Sequence, residues 1–136
     1  MLYDKLIFPK RTLTVILLSM LSMGSLSVKA ARKKTVQKIK VACVGNSITY
    51  GTGIQDREHF SYPVQLQNML GDKYLVGNFG KPGATLLNHG HRPYMKQEKY
   101  RQAMAFKGDI AVIHLGINDT DPRNWPNYRD EFVKDY

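Results

Sequence analysis

Residues 39–47 have the sequence IKVACVGNS, in which a mainly apolar run over 39–44 is followed by Gly45 and polar residues. An apolar run of this length, bounded by turn residues, is typical of a strand that is buried on both faces. Two later runs have the same form, YLVGNF at 74–79 and IAVIHL at 110–115, and a glycine follows each. The pattern predicts three strands of one parallel sheet.

The segments between these runs have features of helices. Pro63 suits a first helical turn, and Gly71 follows an apolar face and predicts a helix end. Alternation of strands and helices predicts an α/β fold in which helices cover both faces of the sheet. The predicted helices are 63–70, 97–106 and 128–136, and the predicted loops are 45–61, 80–95 and 116–127.

The first 30 residues have the pattern of a secretory signal peptide. A basic start precedes an apolar run over 13–26, and Val28-Lys29-Ala30 forms a cleavage site before Ala31. An uncleaved membrane anchor is the alternative, but the run is shorter than the ~20 residues that a span needs. We therefore expect a secreted or periplasmic protein with no stable membrane insertion after the signal is removed.

Residues 31–38 are polar and basic, and we interpret them as a linker. A basic segment can also bind nucleic acid. This one lacks aromatic residues that would stack on bases, so we expect no nucleic-acid partner. Cys43 is the only cysteine in the chain and lies within the first apolar run, which predicts a buried core residue and excludes an intrachain disulfide.

The loops that follow the three strands contain residues suited to ester hydrolysis. In a parallel α/β sheet, ligands bind at the carboxyl ends of the strands. Ser47 lies on the turn after the first strand, where its hydroxyl could act as a nucleophile. Gly83 could bring a backbone N–H close to a substrate, and Asn118 could add an amide N–H. The three segments are residues 45–49, 78–85 and 116–119.

These segments resemble blocks I, II and III of the SGNH (GDSL) hydrolases, and the resemblance covers residues 39–136. It implies a flavodoxin-like three-layer α/β/α sandwich and a catalytic mechanism that needs no cofactor. It also implies that Ser47 is the nucleophile, and that the Ser47 N–H, Gly83 and Asn118 form the oxyanion hole. Block I of the family usually has Asp before the serine, where this chain has Asn46.

The longer strings FSYPVQLQNML, NFGKPGAT and HLGINDTDPRNW resemble bacterial sialate O-acetylesterases and related carbohydrate deacetylases. This resemblance implies a secreted serine esterase that hydrolyses acyl esters, O-acetyl groups above all, on a glycan or small-molecule substrate such as sialic acid. Two alternatives stay open. One is a lipid or aryl esterase of the same family, and the other is a non-catalytic fragment or weak glycan-binding module.

The family takes its general base from an Asp-x-x-His motif well beyond block III, and this sequence has no such motif there. We therefore expect residues 39–136 to be the N-terminal part of an SGNH domain, incomplete at the C-terminus. Asp56 and His59 match the motif in letters but belong to the nucleophile loop. We interpret His59 as a surface or substrate-rim residue.

His89 and His91 flank Gly90 near block II. Their spacing is compatible with a metal site, but no carboxylate or cysteine pattern completes one, so we expect contacts at the substrate rim and no metal. His114 belongs to the third strand, where we expect a packed, hydrogen-bonded side chain. The sequence indicates no oligomeric state.

Overall fold

The computed structural model of the chain describes residues 37–136. The predicted signal peptide, and all of the predicted linker except residues 37–38, lie outside this range, so both stay predictions. Within the described residues, the helices are too short or too polar to cross a membrane.

Three parallel strands form the centre of the fold, as the sequence predicts. They are β1 (Ile39–Gly45), β2 (Tyr74–Gly80) and β3 (Ile110–His114), in the order β2-β1-β3. In the register of the sheet, Gly45 lies opposite both Gly80 and His114. The three carboxyl ends are therefore level, and the loops that follow them meet at one edge of the sheet.

Two of the predicted helices are confirmed to within one residue, whereas the third is wrong as a continuous helix. The segment after residue 124 is divided into short helices, because Pro126 lies in the first turn of a helix that begins at Trp125 and a 3-10 turn follows it. The helices are α1 (Ser47–Tyr50), α2 (Arg57–Phe60), α3 (Tyr62–Leu70), α4 (Glu98–Phe106), α5 (Trp125–Tyr128) and α6 (Phe132–Asp135), with 3-10 turns at Tyr94–Lys96, Ile117–Thr120 and Arg129–Glu131.

Helices α3 and α4 pack on opposite faces of the sheet. Phe79 of β2 contacts Phe106 of α4, with the two ring centroids 5.2 Å apart. Val44 pairs with Phe79, so Cys43 projects from the other face, toward Tyr62 of α3. The predicted three-layer α/β/α sandwich is therefore confirmed.

Three consecutive residues of β1, Val41, Ala42 and Cys43, are buried in the core. Cys43 is fully buried, as the sequence predicts, and burial raises the pKa of its thiol. Helix α3 is joined to the sheet by a polar contact as well as by packing, because the Gln67 side-chain oxygen accepts the Val76 backbone N–H at 2.8 Å.

Strand β3 is much less covered than β1. It is an edge strand of the described sheet, and Ile110, Val112 and Ile113 are 46%, 37% and 47% exposed. The side chain of His114 is exposed for the same reason, so the prediction that it is packed is wrong. Its backbone carbonyl is nevertheless hydrogen-bonded, because it accepts the N–H of Asn46 at 3.3 Å.

Candidate active site

Helix α1 begins at Ser47, directly after β1, and lies against the ends of two strands. This close approach depends on two glycines. A Cβ atom on Gly80 would lie 2.1 Å from the backbone nitrogen of Tyr50, and one on Gly45 would lie 2.0 Å from Oγ1 of Thr49. Glycine at both positions therefore allows a one-turn helix to present half-buried Ser47 at the edge of the sheet.

Asn46 holds the turn that contains Ser47. Its side-chain oxygen accepts the Ile48 N–H at 3.0 Å and so caps α1. An amide oxygen at this position provides the same cap that the Asp of the family would provide. Asn46 is fully buried, and its Nδ2 has no hydrogen-bond partner within residues 37–136. On the other side of the turn, Oγ1 of buried Thr49 lies 3.2 Å from the Tyr62 hydroxyl.

The second loop is fixed to the first at the backbone. Lys81 N–H donates to the Gly45 carbonyl at 2.8 Å, directly after β2 ends. Gly83 has a φ of +75°, in the left-handed region that favours glycine. A Cβ atom there would also lie 2.9 Å from Nη1 of Arg92. The left-handed conformation therefore favours glycine at position 83, whereas the Arg92 side chain could move aside from a Cβ.

Asn118 lies in the 3-10 turn after β3, and its side chain points toward the second loop. Nδ2 donates to the Ala84 carbonyl at 2.8 Å. This bond uses one of the two amide hydrogens and fixes the orientation of the other. Gly83 and Asn118 line the same open cleft of about 370 Å³. Ser47 is at the neighbouring strand end and does not line this cleft.

A buried carboxylate that the sequence interpretation did not single out joins the second and third loops. Asp119 is fully buried and accepts the N–H groups of Leu86 and Leu87 at 2.9 and 2.8 Å. The position of Asp119 beside Asn118, in a turn directly after an apolar strand, was the available signal. Its two bonds hold the segment after Gly83 against the turn that contains Asn118.

Asn124 is a second buried polar residue without a role in the sequence interpretation. Its side-chain oxygen accepts the backbone N–H of His91 at 2.8 Å. Its Nδ2 donates to the Asn118 carbonyl at 3.0 Å and lies 3.0 Å from Nδ1 of His91. Asn124 therefore fixes His91 beside Asn118, on the wall of the same cleft.

Comparison with known proteins agrees with this arrangement. The model of the GDSL-like lipase/acylhydrolase family matches residues 43–135, which include all three loops. The chain belongs to this family. The SGNH (GDSL) resemblance and the fold that it implies are therefore confirmed, although the match does not test the role of any single residue.

A curated relative extends the GDSL assignment. The chain is 53% identical over 97 residues to a protein named acetylxylan esterase from Xylanibacter ruminicola. The aligned region covers 71% of this chain and 20% of the relative, so the chain spans about a fifth of the length of that relative. No solved structure matches the chain.

The cleft of this GDSL domain also contains an ion pair. Arg123 Nη2 lies 2.8 Å from a carboxylate oxygen of Asp121, and hydrogen bonds from Arg123 hold the pKa of Asp121 well below its usual range. The same guanidinium nitrogen lies 3.4 Å from Nε2 of His91. The cleft wall thus combines an ionised pair with an imidazole whose two nitrogens both have neighbours.

The remaining predicted rim residues lie elsewhere on the surface. His59 is exposed and its Nδ1 lies 2.8 Å from Asp56, which raises the pKa of the imidazole through a hydrogen bond. His89 is exposed and its Nδ1 lies 2.7 Å from Glu131. Neither residue lines the cleft of Gly83 and Asn118. Within residues 37–136, no three His, Cys, Asp or Glu residues are grouped as metal ligands.

Proposed function

We propose that this GDSL protein is a serine esterase that removes acyl groups, chiefly O-acetyl groups, from carbohydrate. The observation that carries the proposal is the cleft shared by Gly83 and Asn118, in which the Ala84 carbonyl orients the Asn118 amide. Membership of the GDSL family and the similarity to an acetylxylan esterase support this proposal.

In the proposed reaction, the Ser47 hydroxyl attacks the acyl carbonyl carbon of the ester. The N–H groups of Ser47 and Gly83 and the free amide hydrogen of Asn118 stabilise the negative charge on the carbonyl oxygen. Collapse of this intermediate releases the sugar hydroxyl and leaves acetylated Ser47. Water then attacks the acetyl carbonyl, acetate leaves, and Ser47 recovers its proton.

The reaction needs a general base to accept the Ser47 proton. Within residues 37–136 the Ser47 hydroxyl makes no hydrogen bond to a histidine, and the carboxylate-paired imidazoles of His59 and His89 lie on the exposed surface outside the cleft of Gly83 and Asn118. The family resemblance assigns this task to an Asp-x-x-His motif beyond the residues that match here. We therefore assign no base among residues 37–136.

The substrate is proposed at the level of an acylated carbohydrate. The name of the relative favours acetyl groups on xylan. The sequence strings quoted above favour O-acetylated sialic acid instead. A lipid or aryl ester is a third substrate class within the family, and the assay below separates the three.

The nucleophile is tested by comparing Ser47→Ala with the unaltered chain on acetylated xylo-oligosaccharides, O-acetyl sialic acid and a long-chain 4-nitrophenyl ester. We expect acetate release from a carbohydrate that disappears in Ser47→Ala. Thr52→Ala is the matched control, because it removes an exposed hydroxyl from the same loop. Turnover that persists in Ser47→Ala would exclude Ser47 as the nucleophile, and preference for the long-chain ester would support a lipid esterase.

The oxyanion hole is tested with Asn118→Ala, for which we expect kcat to fall about 10²–10³-fold with little change in KM. Asn127→Ala is the control, because it removes an exposed amide outside the cleft. If the unaltered chain shows no Ser47-dependent turnover, the alternative of a non-catalytic fragment or weak glycan-binding module is favoured for this chain.

We also propose that the protein is secreted or periplasmic and that residues 1–30 are removed. The basic start and the apolar run over 13–26 support this proposal. N-terminal sequencing of the protein recovered outside the cytoplasm should begin at Ala31. Recovery of the protein in the cytoplasm with Met1 retained would contradict it.

A further inference from the structure

A second cleft lies beside the Gly83 loop, which contributes Pro82 to its wall. It has a volume of about 390 Å³ and is formed where α1, the end of β2 and the beginning of α4 meet. We call it the cationic cleft, because Lys81, Arg92 and Lys99 line it. These cations come from three separate segments of the chain, so only the tertiary structure brings them together.

The positive charge of the cationic cleft is not neutralised by neighbouring carboxylates. Within residues 37–136, Lys81, Arg92 and Lys99 form no ion pair, whereas Arg57, Arg101, Arg123 and Arg129 each do. Glu98 also lines the cleft, but its carboxylate is already paired with Arg101. Three cationic residues and one carboxylate, shared with Arg101, therefore line the cleft, and its lining carries a net positive charge.

The walls of this cleft also suit a sugar. Tyr50 provides an aromatic surface, and one face of its ring is stacked on the Arg57 guanidinium, 4.1 Å from the ring centroid. Aromatic walls with a few charged groups are typical of sites for small organic ligands. Arg92 is oriented by a bond from Nη1 to the Pro82 carbonyl at 3.2 Å, and its other N–H groups remain able to donate.

The cationic cleft adjoins the proposed catalytic groups on two sides. Tyr50 belongs to the four-residue helix that begins at Ser47. Pro82 directly precedes Gly83, and the guanidinium of Arg92 lies beside Gly83. A ligand in this cleft would therefore be bound next to the groups that are proposed to cleave the ester.

We infer that the cationic cleft binds the carboxylate of an acidic sugar, so that the substrate is an acetylated saccharide that contains uronic or sialic acid. The inference rests on the proposed function, since it names the substrate class of that site. A guanidinium fork and ammonium groups are suited to a carboxylate, and Arg92 can bind both of its oxygens. A neutral sugar would leave all three charges unpaired.

Binding of sugars, measured by NMR titration of the full chain at low ionic strength, tests this inference independently of turnover. The ligands are glucuronic acid, N-acetylneuraminic acid and glucose as the neutral control. We expect at least one acid to bind more tightly than glucose. Added salt should weaken the binding of the acid and leave the binding of glucose unchanged, because salt screens exposed charges. The acid that binds more tightly shows whether the substrate contains a uronic acid or a sialic acid.

Charge-removing variants assign the binding to this cleft. We expect Lys81→Gln and Lys99→Gln each to weaken binding of the acid about two- to fivefold, and Arg92→Gln to weaken it about tenfold. Lys73→Gln is the control, since Lys73 is exposed and lies outside the cleft, beside the beginning of β2. Circular dichroism of each variant checks that it is folded.

Two results would overturn the inference. One is equal affinity for glucose and both acids, and the other is unchanged binding of the acid in the folded Lys81→Gln, Lys99→Gln and Arg92→Gln variants. Failure of the proposed esterase function would be a separate result, in which Ser47-dependent turnover is absent while the acid still binds to the cationic cleft. Tighter binding of inorganic phosphate than of either acid would also reject the assignment to a carboxylated sugar.

Discussion

The carboxylate of Asp119 accepts the backbone N–H of Leu87 at 2.8 Å, although the two residues are 32 positions apart in the chain. Its second oxygen accepts the N–H of Leu86. Because Asn118 precedes Asp119 and also donates to the Ala84 carbonyl, one short turn holds the second loop at three points. The relative position of Gly83 and Asn118 therefore depends on a residue that contacts no substrate in the proposed mechanism.

Replacing Asp119 with alanine should destabilise the fold. The change leaves two buried backbone N–H groups without an acceptor, and we expect the free energy of unfolding to fall by about 3 kcal/mol. Urea denaturation of the full chain measures this difference. Asp130→Ala is the control and should change stability by less than about 0.5 kcal/mol, since the Asp130 side chain is 96% exposed. Equal effects of the two variants would contradict the structural role of Asp119.

Gly80→Ala should displace α1. The added Cβ would lie 2.1 Å from the backbone nitrogen of Tyr50, and backbone cannot move aside as a flexible side chain can. We expect a loss of stability of about 1–3 kcal/mol and shifted amide NMR signals for residues 47–50. Gly53→Ala is the matched control, because a Cβ there has no atom within 4 Å and only the positive φ of +81° opposes it. Unshifted α1 signals in Gly80→Ala would refute the proposed contact.

His59 should titrate above its ordinary pKa of about 6.5. The hydrogen bond to Asp56 is the main cause, and the charges of Asp56 and Glu58 contribute less. The resulting stabilisation is therefore present at low pH and is lost as the pH rises through the folded-state pKa of His59. NMR titration of the imidazole should show a lower midpoint in Asp56→Asn and a smaller change in Glu58→Gln. An unchanged His59 midpoint in Asp56→Asn would contradict the hydrogen bond between Asp56 and His59.

Cys43 should be unreactive toward a thiol reagent such as DTNB while the chain is folded. It is the only cysteine, it is fully buried, and burial raises the pKa of its thiol. Since the thiolate is the reactive form, we expect one equivalent of reaction only after unfolding in urea. Thr52→Cys provides the exposed comparison and should react once in the folded state. Rapid reaction of the unaltered folded chain would show that β1 is not buried.

Local patterns in the sequence predicted the three strands and the two nine-residue helices of the described chain, because apolar spacing and glycine or proline boundaries act over a few residues. The same information failed for the segment after residue 124. There Pro126 starts a short helix early, and a 3-10 turn interrupts the continuous helix that was predicted over 128–136. It also failed for His114, whose exposure depends on the edge position of β3 and not on its apolar neighbours.

The sequence by itself determined the three loops, and hence family membership and the candidate roles of Ser47, Gly83 and Asn118, because these depend on residue type at each strand end. Only the tertiary structure decided what holds these residues in place and what surrounds them. The bonds of Asp119 to Leu86 and Leu87 and the convergence of Lys81, Arg92 and Lys99 join distant segments. Hydrogen bonds and electrostatic attraction act over a few ångströms of space, and sequence separation gives no measure of that distance.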